Sequence, residues 1–148
     1  MIRLAPVDEH SVEACAQLKC TQEQQRFTNS PIWSLLQTAY TPLKHHCVLY
    51  AIWGEGTVVG MVRLDYSLFE GRYEFTNLLI DRACQRRHFA SEAILRIIEL
   101  FRADGRHRVI RIQVDPENQG AISLYEKSGF AFRGLSEDGI FAEYEYAL

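Results

Sequence analysis

The sequence lacks the segments that would direct a chain into or across a membrane. No apolar run approaches the roughly 18 residues that a membrane span needs, and residues 1–10 have neither the apolar stretch nor the cleavage site of a signal peptide. Repeats, linkers and low-complexity tracts are also absent. We therefore expect a cytoplasmic protein without a membrane partner. Its 148 residues, 47% apolar and 24% charged, predict one globular domain over residues 1–148.

Cysteine pairs with the spacing of a redox or zinc site are missing as well. The four cysteines form no CxxC pair, and they are Cys15, Cys20, Cys47 and Cys84. Cys84 lies beside an arginine cluster, but no His and Asn/Asp framework accompanies it, so we expect a reduced, unreactive thiol. Adjacent residues such as His45 and His46 point to opposite sides of a strand, and we expect no metal site.

Charge is distributed unevenly along the chain. Residues 1–81 carry 6 basic and 9 acidic groups, residues 82–111 carry 8 and 3, and residues 112–148 carry 2 and 7. A basic centre between acidic flanks is typical of a protein that holds an anionic ligand and accepts a cationic one, and also of an ordinary solvated surface. Because the total is acidic and no nucleic-acid motif is present, Arg102, Arg106, Arg108 and Arg111 do not predict nucleic-acid binding.

Hydrophobic periodicity and turn residues predict seven strands and four helices. A strand at residues 2–5 precedes two short helices, one starting at Asp8 and one capped by Ser34 and ended by Pro42. The remaining elements are predicted at residues 48–53 (strand), 57–66 (strand), 73–80 (strand), 89–105 (helix), 109–114 (strand), 119–128 (helix), 130–133 (strand) and 140–146 (strand). The order predicts an α/β (α+β) fold, a mixed and mostly antiparallel sheet with helices on both faces.

One segment has the chemistry of a phosphate site. The sequence QRRHFA at residues 85–90 joins the strand at 73–80 directly to the longest helix. Backbone N–H groups at a helix N-terminus bind phosphate through hydrogen bonds and the helix dipole, and neighbouring arginines add charge. The loop contains no glycine, the residue that phosphate-binding loops commonly use for close approach of the backbone.

A second segment has the sequence NQGAISLYEKSGF at residues 118–130. In this segment the chain resembles the GNAT superfamily of acyl-CoA-dependent N-acetyltransferases. The pattern NxxAxxLYEKxGF is among that family's most specific motifs. Its other motif, Q/R-x-x-G-x-G/A, fits Gln85 and Ala90, but His88 occupies the place of the first glycine. His88 either narrows the phosphate cradle or contacts phosphate with its ring. The resemblance covers nearly the whole chain and implies a GNAT-like sheet.

The resemblance implies acetyl-CoA as co-substrate and assigns roles to particular residues. The backbone of Leu78, Leu79 and Ile80 would pair with the pantetheine arm, and Asn118 would contact it unless it only caps the last helix. Tyr125 would protonate the departing thiolate, unless it is only a packing residue. The pyrophosphate would be held by residues 85–91, which are Gln85, Arg86, Arg87, His88, Phe89, Ala90 and Ser91.

The reaction also needs a route for the proton of the acceptor amine. Glu74 lies eleven residues before Gln85, the spacing at which histone-acetyltransferase members place a catalytic glutamate. Ordered water serves as the alternative route for the proton in many members. Gln113 stands five residues before Asn118, where ribosomal-protein N-terminal acetyltransferases have a glutamate, and glutamine cannot accept a proton. Glu74 is therefore the predicted base.

The predicted acceptor is a small primary amine. The segment at residues 25–40, with the strands near residues 58–60 and 72–73, is similar to the bacterial diamine and polyamine acetyltransferase branch. Acids suited to a long cation are Glu13, Glu23, Asp65, Glu70 and Glu74. The alternatives are a protein N-terminus or lysine, an aminoglycoside, an amino acid, or a degenerate acyl-CoA-binding module spoiled by His88. An exposed edge at residues 140–146 could pair two chains into a homodimer.

Overall fold

The computed structural model describes residues 1–40, 46–67 and 71–148. The strands are β1 (Ile2–Pro6), β2 (Cys47–Gly54), β3 (Thr57–Asp65), β4 (Glu74–Ile80), β5 (Val109–Val114), β6 (Ala131–Leu135) and β7 (Ala142–Ala147). The helices are α1 (Val12–Ala16), α2 (Pro31–Tyr40), α3 (Phe89–Asp104) and α4 (Gln119–Lys127). The predicted roles of Pro42, His45 and Glu70 fall outside the described residues.

The strands form two antiparallel sheets, which confirms the predicted mixed α/β architecture. One sheet has the order β1-β2-β3-β4, and the other has the order β5-β7-β6. Tyr73, just before β4, joins them through one parallel bridge to Ile110 of β5. The Tyr73 N–H donates to the Val109 carbonyl at 2.9 Å, and the Arg111 N–H donates to the Tyr73 carbonyl at 2.8 Å.

Beyond that bridge, β4 and β5 diverge. Within the described residues they share no further ladder pair, although both run on in the same direction. Two parallel strands that touch at one end and separate at the other leave a cleft whose walls are unpaired backbone. The loops that follow the two strands, residues 81–88 and 115–118, lie at the wide end of this cleft, which we call the mouth.

A bulge in β4 reverses the direction of its side chains. The register with β3 slips by one residue between the pair Met61–Leu79 and the pair Arg63–Thr76, and Asn77 has a φ of 54°. Without a bulge, Phe75 and Leu79 would share one face because side chains alternate along a strand. Instead Phe75 joins the core beneath α3, and Leu79 joins the core on the opposite face.

Gly60 secures the contact between β3 and β4 next to this bulge. A Cβ atom at Gly60 would lie 2.3 Å from the carbonyl oxygen of Leu79, which is far inside van der Waals contact. Only glycine therefore permits this approach of the two strands.

The two cores occupy opposite faces of the sheets, as predicted. The larger core packs α3 against both sheets, with Ile94, Ile97 and Phe101 fully buried beside Ile110 and Ile112. The smaller core packs α1 and α2 on the first sheet through residues such as Cys15, Leu49 and Met61. We call the face that carries α1 and α2 the open face, because these helices do not extend over the second sheet.

Two local predictions are wrong. Ser34 is buried inside α2 and caps nothing; the Ser30 hydroxyl accepts the Trp33 N–H at 3.2 Å at the start of the helix instead. The strand at residues 140–146 is not an exposed edge, since β7 lies between β5 and β6. The edge strand is β6, whose Phe132 and Leu135 are exposed.

Candidate active site

In the loop between β4 and α3, two residues other than glycine adopt a backbone conformation that is typical of glycine. Arg86 and His88 have φ values of 61° and 64°, in the left-handed region that glycine adopts most easily. His88 is the N-cap of α3, and its side chain is exposed and forms no capping hydrogen bond. The histidine therefore leaves the N-terminus of α3 open while keeping the backbone path expected of the missing glycine.

The side chain of Gln85 holds this loop against its surroundings. Its Nε2 donates to the Ile80 carbonyl at 3.0 Å and to Gln24 Oε1 at 2.7 Å. The side chain of Asp81 accepts the N–H groups of Lys19 and Ala83, each at 2.9 Å. The loop is thus fixed at both ends before α3 begins.

The two arginines of the loop are in different environments. Arg87 forms an ion pair with Glu55 in the β2–β3 turn, and its guanidinium lies 4.9 Å from the centre of the Phe89 ring. Arg86 is exposed and forms no ion pair with any part of the chain that the structure describes. Arg86 is therefore the loop arginine available to an anion.

The start of α3 fits a pyrophosphate. The first N–H groups of a helix have no partner within it, and here they belong to Phe89, Ala90 and Ser91. The side chain of Phe89 is buried and anchors the turn, whereas Ala90 and Ser91 are half-buried. Helix dipole, free N–H groups and Arg86 together provide the donors and charge that a phosphate ester needs.

Asn118 begins α4 on the other side of the mouth. Its side-chain oxygen accepts the Ala121 N–H at 3.2 Å, so the residue acts as the N-cap. This capping role was the alternative to cofactor contact. Capping and cofactor contact are compatible, because the cap uses only the oxygen of the Asn118 amide and its NH₂ group can still donate a hydrogen bond.

Tyr125 lies on α4 above the α3 face of β4. Its ring contacts Phe75 and Phe130, with centroids 5.9 Å and 6.0 Å away. Burial raises the pKa of the Tyr125 phenol to about 12, so it keeps its proton at neutral pH. A protonated phenol in an apolar setting is suited to donating that proton to a developing anion.

The predicted pantetheine-binding strand residues have side chains committed to packing. Leu78 and Ile80 pack against the larger core, and Leu79 is buried in the smaller one. Leu79 is buried and Leu78 and Ile80 are half-buried, so the backbone of these residues forms the wall that β4 gives to the cleft. This arrangement suits the predicted strand-like pairing with an extended ligand.

Glu74 stands at the narrow end of the cleft, on the open face. It precedes Phe75 of the larger core, so alternation directs it to the other side of the sheet. Its register partner is Asp65, whose own partner on β2 is Cys47. Two carboxylates therefore face each other across β3 and β4, while Arg63 donates to the Cys47 sulfur at 3.1 Å.

A polar pocket of about 560 Å³ lies on the open face, and its lining includes Arg72, two residues before Glu74. It is lined by Arg72, Arg111, Gln113, Ser136, Glu137, Asp138 and Glu143. Arg111 lies 2.9 Å from a Glu145 oxygen and 3.9 Å from a Glu143 oxygen, so its charge is already compensated. Hydrogen bonds from Ser136 and from the Ile140 N–H lower the pKa of the Asp138 carboxyl.

Most of these pocket residues were not identified from the sequence. The available signal was the excess of acids after residue 112, but no motif links Glu137, Asp138 and Glu143 to Glu74. Of the acids predicted for the acceptor, the structure pairs only Asp65 with Glu74. Glu13 lies on α1, Glu23 precedes the one-turn 3-10 helix Gln24–Arg26, and Glu70 is outside the described residues.

Three of the four cysteines have thiols with a raised pKa. Burial raises the pKa of the Cys15 thiol to about 11 and also raises the pKa of Cys20 and Cys47, so these thiols remain protonated. Among residues 1–40, 46–67 and 71–148, no group of three His, Cys, Asp or Glu side chains could hold a metal ion. In the same ranges no helix has the length and apolar character needed to cross a membrane.

Comparison with solved structures identifies the fold. The chain is similar to an aminoglycoside acetyltransferase, AAC(6′)-Ib, solved with coenzyme A (16% identity, TM-score 0.81, 99% of this chain and 95% of that one). It is also similar to spermidine N-acetyltransferase from Vibrio cholerae, solved with CoA and spermine (17% identity, TM-score 0.78, 99% of this chain and 95% of that one). A third similar structure is a ribosomal-protein α-N-acetyltransferase solved with CoA (15% identity, TM-score 0.79, 99% of this chain and 94% of that one). No curated protein matches the chain by sequence.

The sequence profile of the acetyltransferase (GNAT) family matches residues 12–130, and the chain belongs to this family. It is an acetyl-CoA-dependent N-acetyltransferase, as the two sequence motifs predict.

Proposed function

We propose that the enzyme transfers the acetyl group of acetyl-CoA directly to a primary amine of a small polycation, with diamines and polyamines as the preferred acceptors. The observation that carries this proposal is the set of carboxylates on the open face. Glu74 and Asp65 face each other at the narrow end of the cleft, and the adjoining pocket adds Glu137, Asp138 and Glu143. A chain with several ammonium groups matches such a surface.

The charge balance of this surface favours a cation. The pocket residues and the Glu74–Asp65 pair together carry five carboxylates against the two guanidinium groups of Arg72 and Arg111. Arg111 is also paired with Glu145, outside the pocket lining. Arg63, two residues before Asp65 on the same face of β3, adds a third guanidinium beside this pair. The five carboxylates therefore still exceed the arginines on this surface.

Glu74 and Tyr125 suit two proton transfers on opposite sides of β4. Glu74 lies on the open face, where it can accept a proton from the incoming ammonium group and leave a neutral amine. Tyr125 lies on the α3 face, where its raised pKa keeps a proton available for the departing sulfur.

The remaining predicted residues would hold the co-substrate, whose thioester supplies the acetyl group. Arg86 and the N–H groups of residues 89–91 would bind the pyrophosphate, and the backbone of residues 78–80 would align the arm in the cleft. Fixing both partners in one cleft removes the entropy cost of bringing them together during reaction.

The test is mass-spectrometric detection of acetylated product with acetyl-CoA and a matched panel of amines. The panel contains spermidine, spermine and putrescine, with butylamine as the monoamine of putrescine's chain length, and also kanamycin, glycine and a short peptide. We expect kcat/KM for putrescine and spermidine to exceed that for butylamine at least tenfold. Preference for the peptide or for glycine would overturn the polycation assignment, and preference for kanamycin would retain it while changing the branch.

A further inference from the structure

The segment between α1 and α2 contacts both sides of the mouth. It contains the one-turn 3-10 helix Gln24–Arg26, which we call the strap. The Gln24 and Gln85 amides hydrogen-bond to each other, at 2.7 Å and 3.5 Å. Arg26 Nη2 donates to Glu117 Oε2 at 2.5 Å, in an ion pair across 91 positions of sequence.

The two attachment points belong to different walls of the cleft. Gln85 lies in the loop that follows β4, and Glu117 lies in the loop that follows β5. Because these strands diverge toward their carboxyl ends, a segment that touches both loops spans the gap at its widest point. The strap therefore crosses the mouth, on the same face as α1 and α2.

The strap is held in place mainly by exposed contacts. None of its residues is buried, and a pocket of about 340 Å³ lies behind it, lined in part by Lys19, Gln25 and Arg82. The Arg26 and Glu117 side chains are 60% and 71% exposed, so their ion pair is screened by water and salt. A segment with few buried contacts opens locally at low cost.

We propose that the strap is a gate over the acyl-CoA arm, and that Arg26, Gln24 and Glu117 are positioning residues that control how fast the cofactor enters and leaves. This inference rests on the proposed placement of the arm between β4 and β5. With the strap fastened, an arm lying in the cleft is covered on the open face. Its exchange then requires the Arg26–Glu117 and Gln24–Gln85 contacts to break.

A gate predicts a kinetic signature that a binding contact does not. Opening the strap helps cofactor to leave and to enter, so both rate constants rise by the same factor while their ratio, the Kd, stays constant. A residue that merely contacts the cofactor changes the dissociation rate and the Kd together. A purely structural residue changes thermal stability and neither rate.

The experiment is stopped-flow measurement of CoA association and dissociation on the full chain. Arg26→Gln and Glu117→Gln, which remove the ion pair without reversing charge beside the anionic cofactor, should each raise both rate constants about threefold to fivefold, the range expected for loss of an exposed ion pair. The double variant Arg26→Glu/Glu117→Arg should return both rates to within twofold of the wild type. The same reversal at Arg96 and Glu99, an exposed pair on α3 with atoms 2.9 Å apart, is the matched control and should change neither rate.

The outcomes separate this inference from the proposal on which it rests. Unchanged rates in both single variants, or a rise in Kd equal to the rise in dissociation rate, would overturn the gate. If Arg86→Ala also leaves CoA affinity unchanged, the placement of the cofactor itself is wrong. If Arg86→Ala weakens CoA binding while the strap variants have no effect, the placement stands and only the gate fails.

Discussion

The proposed cofactor side and the proposed acceptor side of the cleft are built in different ways. The cofactor side consists of two short loops and the helix starts that follow them, and its donors are mainly backbone groups held by Gln85, Asp81 and Asn118. The acceptor side consists of side chains from β3, β4, β5, β7 and the β6–β7 turn. One side is therefore contiguous in sequence, and the other is assembled only by the fold.

This difference explains how each side tolerates change. A backbone cradle keeps its shape when a side chain differs, provided that the φ and ψ angles are maintained, as His88 shows with its left-handed conformation. A surface of charged side chains changes its specificity with any single substitution. We therefore expect cofactor use to be insensitive to most substitutions and acceptor choice to be sensitive to them.

The largest effect is expected at Tyr125. Tyr125→Phe removes the proposed proton donor while keeping the ring that packs on Phe75 and Phe130. We expect kcat to fall about 100-fold with KM for both substrates within threefold, as for loss of a general acid. Tyr146→Phe, a second half-buried tyrosine, serves as the control and should retain its rate. Undiminished kcat in Tyr125→Phe would remove the phenol from the mechanism.

Glu74→Gln tests the acceptor side in the same way. We expect kcat to fall about 30-fold at pH 7, because the bound ammonium group loses its proton acceptor. The deficit should shrink as the pH approaches 10, where more of the free amine is already neutral. Steady-state rates from pH 7 to 10 measure this trend, with Glu99→Gln as a surface control. A deficit that is constant with pH would indicate that Glu74 binds the acceptor and does not accept its proton.

The same contrast decided what could be predicted from the sequence. The α3 helix was predictable because Phe89, Ala93, Ile97 and Phe101 recur at helical spacing, and its end at Gly105 is a left-handed C-cap. The motif at residues 118–130 predicted the family, which the sequence profile confirms. Both signals depend on neighbours in the chain, so no knowledge of the fold was needed to find them.

The acceptor pocket could not be predicted for the opposite reason. Glu143 reaches Arg111 and Gln113 only because β7 pairs with β5, and that pairing places β7 inside its sheet, where the sequence indicated an edge. Pairing between strands separated by a helix leaves no local pattern. The strap was missed likewise, since Arg26 and Glu117 meet only in the folded chain.

A comparison of the two loop arginines sharpens the account of the cofactor side. Arg86→Ala should raise the KM for acetyl-CoA about tenfold, the value of one charge-assisted hydrogen bond. Arg87→Ala should raise it no more than threefold, because Arg87 is already paired with Glu55. Initial rates at a fixed amine concentration give both values. Equal effects of the two variants would contradict the assignment of Arg86 as the available arginine.

A smaller effect is expected at alkaline pH. Burial raises the folded-state pKa of Tyr125 to about 12, above the ordinary value near 10. The stabilisation is complete below pH 10 and is lost as the pH rises through 12, since the unfolded chain ionises first. Between pH 9 and 11, the free energy of unfolding measured with urea should fall by about 1 kcal/mol more in the wild type than in Tyr125→Phe. Parallel losses in the two proteins would place the phenol in contact with water.

The smallest effect on activity is expected at His88. A non-glycine residue in the left-handed conformation costs the folded state about 1–2 kcal/mol, and His88→Gly removes this strain. Glycine also gives the unfolded chain more backbone freedom, which offsets about half of the gain. The free energy of unfolding should rise by about 0.5–1 kcal/mol, and Tm by about 2 °C. CoA affinity should stay within twofold, because the exposed imidazole leaves the start of α3 open. A large gain in affinity would show that the histidine obstructs the phosphate cradle, and the contrast between a robust cofactor side and a sensitive acceptor side would then fail at this residue.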